Sequence, residues 1–255
     1  MVHNRLGQTD LHVSPIGFGA FKIGRNVGTK YPRGYDLPAD DDVSVLLNTV
    51  VDMGINYIDT APAYGLSEAR IGAALHHRRD DIVLSTKVGE RFDDGQSSYT
   101  FSASAVRTSL ESSLRALRTD AVDLVLVHSD GNDLDILHQT DTVDGLLRAR
   151  EDGLTRCIGF SGKSVAGAAA ALPWSDVIMV EYHANDTSHD AVMRDAHAGG
   201  VGVVVKKGLA SGHLAPPDAI PFVLRHPAVD SLVIGGLNAA HIRENLDIAS
   251  TMRQA

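Results

Sequence analysis

Eight short apolar runs alternate along this chain with segments that carry apolar residues at helical spacing. The runs span residues 16–20, 55–59, 82–87, 122–127, 156–160, 177–180, 201–205 and 231–234. Their apolar composition is typical of parallel strands that helices cover on the outside. Eight strand–helix units close into a barrel, and a chain of 255 residues has the usual length for that fold. We therefore predict an α/β protein, a (β/α)8 TIM barrel in which residues 1–255 form a single domain.

The segments between these runs contain the residues that typically begin and end helices and turns. Residues 40–53 place apolar side chains on one face and stop at Gly54, while Ser67 and Ser102 are predicted to cap the next two helices. An N-terminal β-hairpin is expected over residues 4–14. The stretches 22–39 and 89–101 have no clear pattern, and we expect them to be loops at the ligand-binding end of the barrel.

Composition narrows the range of partners. The net charge of −9 argues against binding to nucleic acid or to an anionic membrane. The one cysteine, Cys157, cannot form an internal disulfide and lies in an apolar run, so we expect a small buried side chain in a reducing compartment. No run of 18 apolar residues and no signal peptide core is found, which predicts a cytoplasmic protein. The histidines show no compact metal-ligand pattern, and no metal site is predicted.

Four polar residues stand at or just after the ends of predicted strands. Asp59 closes the run 55–59, Tyr64 follows five residues later, Lys87 closes the run 82–87, and His128 follows the run 122–127. Taken singly, each has an ordinary structural explanation, such as a turn cap, a surface aromatic, a solvated strand end or a buried histidine. Corresponding ends of parallel strands meet at one mouth of a barrel, so the four together predict a site.

The chemistry of these side chains points to proton transfer to or from a carbonyl oxygen. An ammonium group beside a phenol favours its ionised form, so Lys87 is expected to lower the pKa of Tyr64. Asp59 would hold Lys87 and keep it charged, and His128 would orient or polarise the carbonyl. No nucleophilic side chain is evident, and a hydride from a bound nicotinamide fits the remaining step.

Several segments resemble the aldo-keto reductase superfamily over essentially the whole chain. The most specific are residues 6–19, 54–65, 66–68, 85–89, 123–129 and 158–162. The resemblance implies a (β/α)8 barrel that binds NADP(H) or NAD(H) without a Rossmann fold. It implies an oxidoreductase that interconverts a carbonyl and an alcohol, with Tyr64 as general acid/base and Asp59, Lys87 and His128 as its catalytic partners.

The same resemblance assigns cofactor positions. Asp59 is expected at the nicotinamide ribose, and Ser161 with Gly162 at the carboxamide. Gly19, Ala20 and Phe21 match the loop after the first strand, near the nicotinamide and pyrophosphate, and Leu209, Ser211 and Gly212 match the loop around the pyrophosphate. His241, Glu244 and Asn245 lie in the last predicted helix and are expected toward the adenosine end.

Some positions depart from the family pattern. Gly162 and Met179 stand where the family often has asparagine and glutamine, so Glu181 or a water is the candidate replacement at the carboxamide. Lys206 stands where many members have an aromatic that stacks on the nicotinamide, and Lys206 or Lys207 is a candidate for the pyrophosphate, with a solvated strand end as the alternative. Glycines and His241 replace the residues that hold a 2′-phosphate, so NADP(H) is preferred by family and NAD(H) remains open.

The substrate pocket is expected to be open and shallow, because few residues follow the last helix. Its walls are predicted from residues 22–38, 90–100 and 129–136, with Phe21, Tyr35, Phe92 and Trp174 as lining candidates. We expect a small-molecule carbonyl or sugar as substrate, and a monomer or weak oligomer. Two other functions stay open: a Schiff-base lyase that uses Lys87 or Lys206, and a regulatory protein that binds cofactor but turns over slowly.

Overall fold

A computed structural model describes residues 2–29 and 31–251 and shows a closed barrel of eight parallel strands. The strands are β1 (Asn4–Arg5), β2 (His12–Val13), β3 (Ile16–Gly19), β4 (Tyr57–Asp59), β5 (Val83–Val88), β6 (Glu90–Asp93), β7 (Gln96–Tyr99), β8 (Val122–His128), β9 (Thr155–Ser161), β10 (Val177–Glu181), β11 (Gly202–Lys206) and β12 (Ser231–Ile234). The barrel follows the order β3-β4-β5-β8-β9-β10-β11-β12, and β12 closes onto β3. The predicted (β/α)8 barrel with an N-terminal hairpin, β1 and β2, is confirmed.

Helices cover the outside of the barrel. They are α1 (Asp40–Asp52), α2 (Ser67–Leu75), α3 (Ala103–Leu117), α4 (Asp133–Gln139), α5 (Thr142–Glu151), α6 (Val165–Ala171), α7 (Asp190–Ala198), α8 (Pro216–Leu224) and α9 (Ala239–Thr251). Ser102 caps α3 as predicted, because its hydroxyl accepts a hydrogen bond from the Ala105 amide at 3.2 Å. Among residues 2–29 and 31–251, no helix is long and apolar enough to cross a bilayer.

Two local predictions were wrong, and one helix was missed. Ser67 does not cap α2 but is its first residue, and its hydroxyl lies 2.8 Å from that of Thr60. The stretch 89–101 is not irregular, since β6 and β7 form an antiparallel hairpin within it. Helix α4 was not predicted because its buried positions, Asp133 and Ile136, give too weak an apolar pattern.

The barrel interior is packed by side chains that alternate along each strand. Tyr57, Leu124, Leu126, Met179 and Val204 belong to one buried apolar cluster inside the barrel. Leu6, Leu11 and Val13 of the N-terminal hairpin belong to the same cluster. The hairpin therefore closes the end of the barrel where the strands begin, and leaves the other end for ligands.

Gly17 makes room for the largest interior side chain. A Cβ atom at residue 17 would lie 2.6 Å from Cδ1 of Tyr57, which is fully buried. The strand β3 therefore accepts a glycine inside the barrel, although glycine weakens a strand, because the tyrosine ring occupies the space.

Asp230 fastens the hairpin to the barrel. Its Oδ2 accepts hydrogen bonds from the Gly7 amide at 3.1 Å and the Val203 amide at 2.9 Å. The side chain of Asn4 also donates to the Asp230 carbonyl at 2.7 Å. Burial raises the pKa of Asp230 to about 6, although the two amides oppose the shift.

We predict that Asp230→Asn stabilises the protein above pH 6. The folded chain binds the Asp230 proton more tightly than the unfolded chain, so ionisation of this group lowers stability as the pH rises from about 4 to about 6. An amide oxygen accepts from the same two amides without that cost, which is up to about 2–3 kcal/mol for a shift of this size.

Urea unfolding at pH 4.5 and pH 8 measures this effect. The variant should exceed the wild type at pH 8, and the gain should shrink at pH 4.5. The exposed Asp120→Asn serves as the control. An equal difference at both pH values would show that Asp230 is not the titrating group.

Candidate active site

A ring of polar side chains lies at the mouth of the barrel where the strands end. Side chains alternate along a strand, so residues two positions beyond the interior cluster face the same way and reach the mouth. The ring consists of Asp59, Lys87, His128, Ser161, Glu181 and Lys206. The strand register pairs His128 with Ser161 and Glu181 with Lys206 as neighbours around this ring.

Asp59 and Lys87 form a buried ion pair between β4 and β5. Lys87 Nζ lies 2.7 Å from both carboxylate oxygens of Asp59 and donates to the Thr60 carbonyl at 2.9 Å. Both side chains are nearly inaccessible to solvent. Burial lowers the pKa of Lys87, and the Asp59 carboxylate opposes that shift. The pair therefore places a charged lysine where an unpaired one would be costly.

A hydroxyl inside the barrel supports the carboxylate. Ser85 Oγ lies 2.9 Å from Asp59 Oδ1 and 3.1 Å from the Tyr57 hydroxyl. A hydroxyl has one proton and two lone pairs, so Ser85 can donate to the carboxylate while it accepts from Tyr57. These contacts fix the carboxylate of Asp59 and hence the direction of Lys87.

Tyr64 enters the mouth from a short 3-10 turn, Pro62–Tyr64. Its ring lies edge-to-face with Phe21 at 5.1 Å and with His128 at 6.0 Å between ring centroids. Lys87 Nζ lies 4.7 Å from the centre of the Tyr64 ring. The structure thus brings together Asp59, Tyr64, Lys87 and His128, the four residues that the sequence singled out.

The pKa of Tyr64 shifts in the direction opposite to our expectation. Burial and the Asp59 carboxylate raise it well above its ordinary value, and Arg25 opposes the shift. Lys87 does not lower it because its ammonium is directed at both oxygens of Asp59, so the ion pair has little net charge to attract a phenolate. In this arrangement Tyr64 carries its proton at neutral pH.

His128 is a neutral ring in a cationic environment. Burial lowers its pKa well below the ordinary value, and Lys87, Lys206, Lys163 and Arg25 act in the same direction. Its Nδ1 lies 3.1 Å from Glu90 Oε2, yet the geometry does not make a hydrogen bond. We treat the contact as electrostatic proximity, because a hydrogen bond depends on angle as well as distance.

Aromatic side chains form one wall of the mouth. Phe21 contacts Tyr31 and Tyr64, Tyr31 contacts Tyr35, and the guanidinium of Arg25 lies 3.6 Å from the centre of the Phe92 ring. Phe21, Tyr35 and Phe92 therefore lie in this wall, as the sequence predicted. Trp174 does not, because it follows α6 just before β10 begins and packs against Phe160 on the outside of the barrel. That prediction was wrong.

Lys206 and Ser161 meet on the opposite side of the mouth. Lys206 Nζ donates to Ser161 Oγ at 2.9 Å and to the Gly162 carbonyl at 2.8 Å. Lys207 instead pairs with the Glu181 carboxylate, which His183 Nε2 also approaches at 3.4 Å. Burial and the neighbouring Lys207 and Lys87 lower the pKa of Lys206 to about 7. Met179 is fully buried in the layer below this ring.

The space beside Gly162 is already filled. A Cβ atom there would lie 2.5 Å from Cε1 of Phe160 and 3.0 Å from Oδ2 of Asp133. The buried Asp133 carboxylate accepts hydrogen bonds from the Lys163 and Ser164 amides and the Ser164 hydroxyl. An asparagine at 162 would collide with this arrangement, so the departure from the family pattern has a local cause.

The loop after β11 has unusual backbone geometry. Lys207, Ala210 and Ser211 all have left-handed φ angles, of 54°, 47° and 58°. Strained φ angles of this kind persist where surrounding contacts hold them, often at ligand sites. The loop contains Leu209, Ser211 and Gly212, the positions expected at a pyrophosphate.

The last cofactor positions lie at α9, which begins near the mouth. His241 and Glu244 are exposed on this helix, whereas Asn245 is buried. Gly19 borders the same region, since a Cβ atom there would lie 2.9 Å from Cγ1 of Val233. Ala20 is fully buried after β3.

These residues fit a dinucleotide. The ammonium group of Lys206 has no carboxylate within ion-pair distance among the residues described. His128 has a buried ring nitrogen, Nδ1, that makes no hydrogen bond. The start of α9 adds the positive end of a helix dipole near the mouth. A dinucleotide brings phosphates and ring-bound polar groups that such a surface can bind.

Sequence reasoning missed several residues of the site. Glu90 lies beside His128, Arg25 donates to the Ala63 carbonyl at 3.0 Å next to Tyr64, and Tyr31 joins the aromatic wall. Ser85 was also missed, although it stands two residues before Lys87 and must share its side of β5. Arg25 and Tyr31 lie in a loop, where periodicity gives no signal, and Glu90 begins β6 in a stretch that we expected to be a loop.

Comparison with known proteins identifies the family. Residues 15–218 match the model described as the aldo/keto reductase family. The chain is 34% identical over 232 residues to L-galactose dehydrogenase from Arabidopsis thaliana, which covers 85% of this chain and 69% of the relative. It is 24% identical over 306 residues to D-threo-aldose 1-dehydrogenase from Pseudomonas sp, covering 94% and 90%.

Comparison with solved structures identifies the same family. A protein from Pseudomonas aeruginosa, described as an aldo-keto reductase, superposes with a TM-score of 0.90 at 42% identity, covering 98% of this chain and 95% of that one. The names of these relatives support an oxidoreductase that acts on carbonyl or alcohol substrates. The chain belongs to the aldo/keto reductase family.

Proposed function

We propose that this protein is an NAD(P)(H)-dependent oxidoreductase that interconverts a carbonyl and an alcohol, with Tyr64 as general acid/base. One observation carries the proposal: the phenol of Tyr64, the imidazole of His128 and the Asp59–Lys87 pair converge at the open end of the barrel. A bound nicotinamide dinucleotide supplies the hydride in the reductive direction.

Tyr64 supplies the proton that balances the reduction. The carbonyl carbon gains a hydride, the carbonyl oxygen gains the Tyr64 proton, and the phenolate recovers a proton from water. A raised pKa suits this role because it keeps Tyr64 protonated at neutral pH. Transfer is still favourable, since a developing alkoxide is more basic than a phenolate. The reverse reaction uses the phenolate as base.

His128 acts on the carbonyl, and the Asp59–Lys87 pair positions Tyr64. A neutral imidazole can donate a hydrogen bond to the carbonyl oxygen without adding charge, and the low pKa of His128 keeps it neutral. Lys87 lies against the Tyr64 ring and is itself held by both carboxylate oxygens of Asp59. The pair therefore fixes the place of the phenol at the mouth of the barrel.

We propose a sugar or another small carbonyl compound as the substrate class. Two relatives, L-galactose dehydrogenase and D-threo-aldose 1-dehydrogenase, are named for sugars. We propose NADP(H) as the preferred cofactor, because many members of the family prefer it. NAD(H) is the alternative, supported by the absence of the usual 2′-phosphate residues at positions 235, 236 and 241 and by a relative from Escherichia coli named NADH-specific methylglyoxal reductase.

We predict that Tyr64→Phe lowers kcat by about 10²- to 10⁴-fold, the usual contribution of a positioned acid or base. The ring remains to fill the wall, so dinucleotide binding should be nearly unchanged. Steady-state kinetics and titration of NADPH and NADH fluorescence measure the two effects. Tyr31→Phe removes a hydroxyl from the same wall and should retain most activity. Full activity in Tyr64→Phe would exclude this residue as the acid.

We predict that Lys87→Met lowers the free energy of unfolding by about 3–5 kcal/mol, because it leaves Asp59 buried and unpaired. The double variant Asp59→Asn/Lys87→Met removes both charges and should recover much of this loss. Both variants should be inactive. A double variant that regains stability without activity would show that the loss of activity does not come from unfolding.

Chemical denaturation with parallel activity assays makes that comparison. Arg107→Met, which breaks the exposed pairs with Glu111 and Asp152, should leave the free energy of unfolding nearly unchanged. A single variant as stable as the wild type would show that the pair does not carry a buried charge.

A Schiff-base lyase is the second candidate, and the low pKa of Lys206 favours it. Lys87 is excluded from that role by its contact with Asp59, since a charged lysine is a poor nucleophile. Treatment with borohydride and an aldose, followed by peptide mass analysis, tests it. A stable adduct on Lys206 would support the lyase, and an unmodified lysine in a protein with reductase activity would reject it.

A further inference from the structure

Two lysines face the mouth of the barrel, the buried Lys87 and the half-buried Lys206, and they differ in how their charge is balanced. Lys87 has a bidentate carboxylate partner in Asp59. Lys206 has two neutral partners, the Ser161 hydroxyl and the Gly162 carbonyl. Within the described part of the chain, no carboxylate comes within ion-pair distance of Lys206 Nζ. No carboxylate therefore neutralises the ammonium group of Lys206, and its positive charge acts on any group that binds in the mouth.

The acidic groups around Lys206 are already engaged. Glu181, its neighbour on β10, pairs with Lys207 and approaches His183, and Asp133 of α4 accepts from residues 129, 163 and 164. The other charged or titratable groups that influence Lys206 or are influenced by it are Lys207, Lys87, His128 and His189. All four groups are cations or neutral rings, so they do not balance its charge.

A hydride donor that serves Tyr64 binds in the same mouth of the barrel as Lys206. The substrate carbonyl has to reach Tyr64, and the reacting carbon has to lie within about 3–3.5 Å of the donor atom. Lys206 lies on the same ring of side chains as Lys87 and His128, and it interacts electrostatically with both. A nicotinamide ring is neutral when reduced and carries one positive charge when oxidised.

We propose that the uncompensated ammonium of Lys206 discriminates between the two oxidation states of the cofactor, favouring the reduced dinucleotide and disfavouring the cationic oxidised one. The inference rests on the proposed function and adds a direction to it: the site is biased toward carbonyl reduction while Lys206 is charged. By linkage, binding of the oxidised form promotes loss of the Lys206 proton.

The pH dependence follows from the sign of this interaction. Lys206 is charged at pH 6 and largely neutral at pH 8.5, since its pKa is about 7. The ratio of the Kd of the oxidised form to that of the reduced form should therefore fall as the pH rises. A like charge at short range in a partly buried site changes this ratio by about tenfold or more. The phosphates are the same in both forms, so their titration cancels in the ratio.

Equilibrium binding tests the proposal without turnover. Fluorescence titration gives the Kd of NADPH and NADH, and competition against the reduced form gives the Kd of NADP⁺ and NAD⁺, at pH 6 and pH 8.5. In Lys206→Met the ratio should be low at both pH values. Lys163→Met removes an exposed lysine from the same rim and should behave as the wild type.

The outcomes separate the two claims. Saturable binding of both forms with a ratio that changes neither with pH nor in Lys206→Met would overturn the role of Lys206 and leave the proposed function intact. Failure of every dinucleotide to bind the wild type at millimolar concentration would overturn the proposed function itself. If Lys206→Met does not fold, the pH dependence of the wild-type ratio still decides, because a constant ratio is incompatible with a charge that titrates near pH 7.

Discussion

The ion pair between Asp59 and Lys87 is the contact on which the active end of this barrel depends. It joins two adjacent strands at their last inward positions, and each partner makes the burial of the other tolerable. Ser85 and the Thr60 carbonyl complete the hydrogen bonds of the pair. With these contacts satisfied, the lysine has a fixed direction, and Tyr64 packs against a charge that does not move.

Charge is distributed unequally around the mouth. On one side the lysine is matched by a carboxylate, and the phenol beside it keeps its proton. On the other side Lys206 is held by groups that carry no charge. One fold thus contains two ammonium groups with different electrostatic roles. Asp59 pairs with Lys87, whereas Glu181, the neighbour of Lys206 in the sheet, pairs with Lys207 instead.

The fold and the four central residues could be predicted because both depend on periodicity. Apolar runs locate strands, alternation along them decides which side chains face inward, and Asp59, Lys87 and His128 are the last members of that alternation. Glu90, Arg25 and Tyr31 could not be found in this way, because they lie outside the barrel strands. Glu90 begins the hairpin strand β6, and the other two lie in the loop after β3. The pKa of Tyr64 was misjudged for a different reason: the sequence predicts Lys87 and Asp59 beside the phenol but does not show how deeply the phenol is buried, and burial is the main cause of the raised pKa.

The hairpin formed by β1 and β2 determines from which end a ligand can enter the barrel. Leu6, Leu11 and Val13 are packed into the barrel axis from below, and Tyr57 with its apolar neighbours fills the space above them. The barrel is therefore closed at the end where its strands begin and open at the end where they finish. Under the proposed function, substrate, product and the water that reprotonates Tyr64 all pass through the open end, so the group bound deepest leaves only after the group above it.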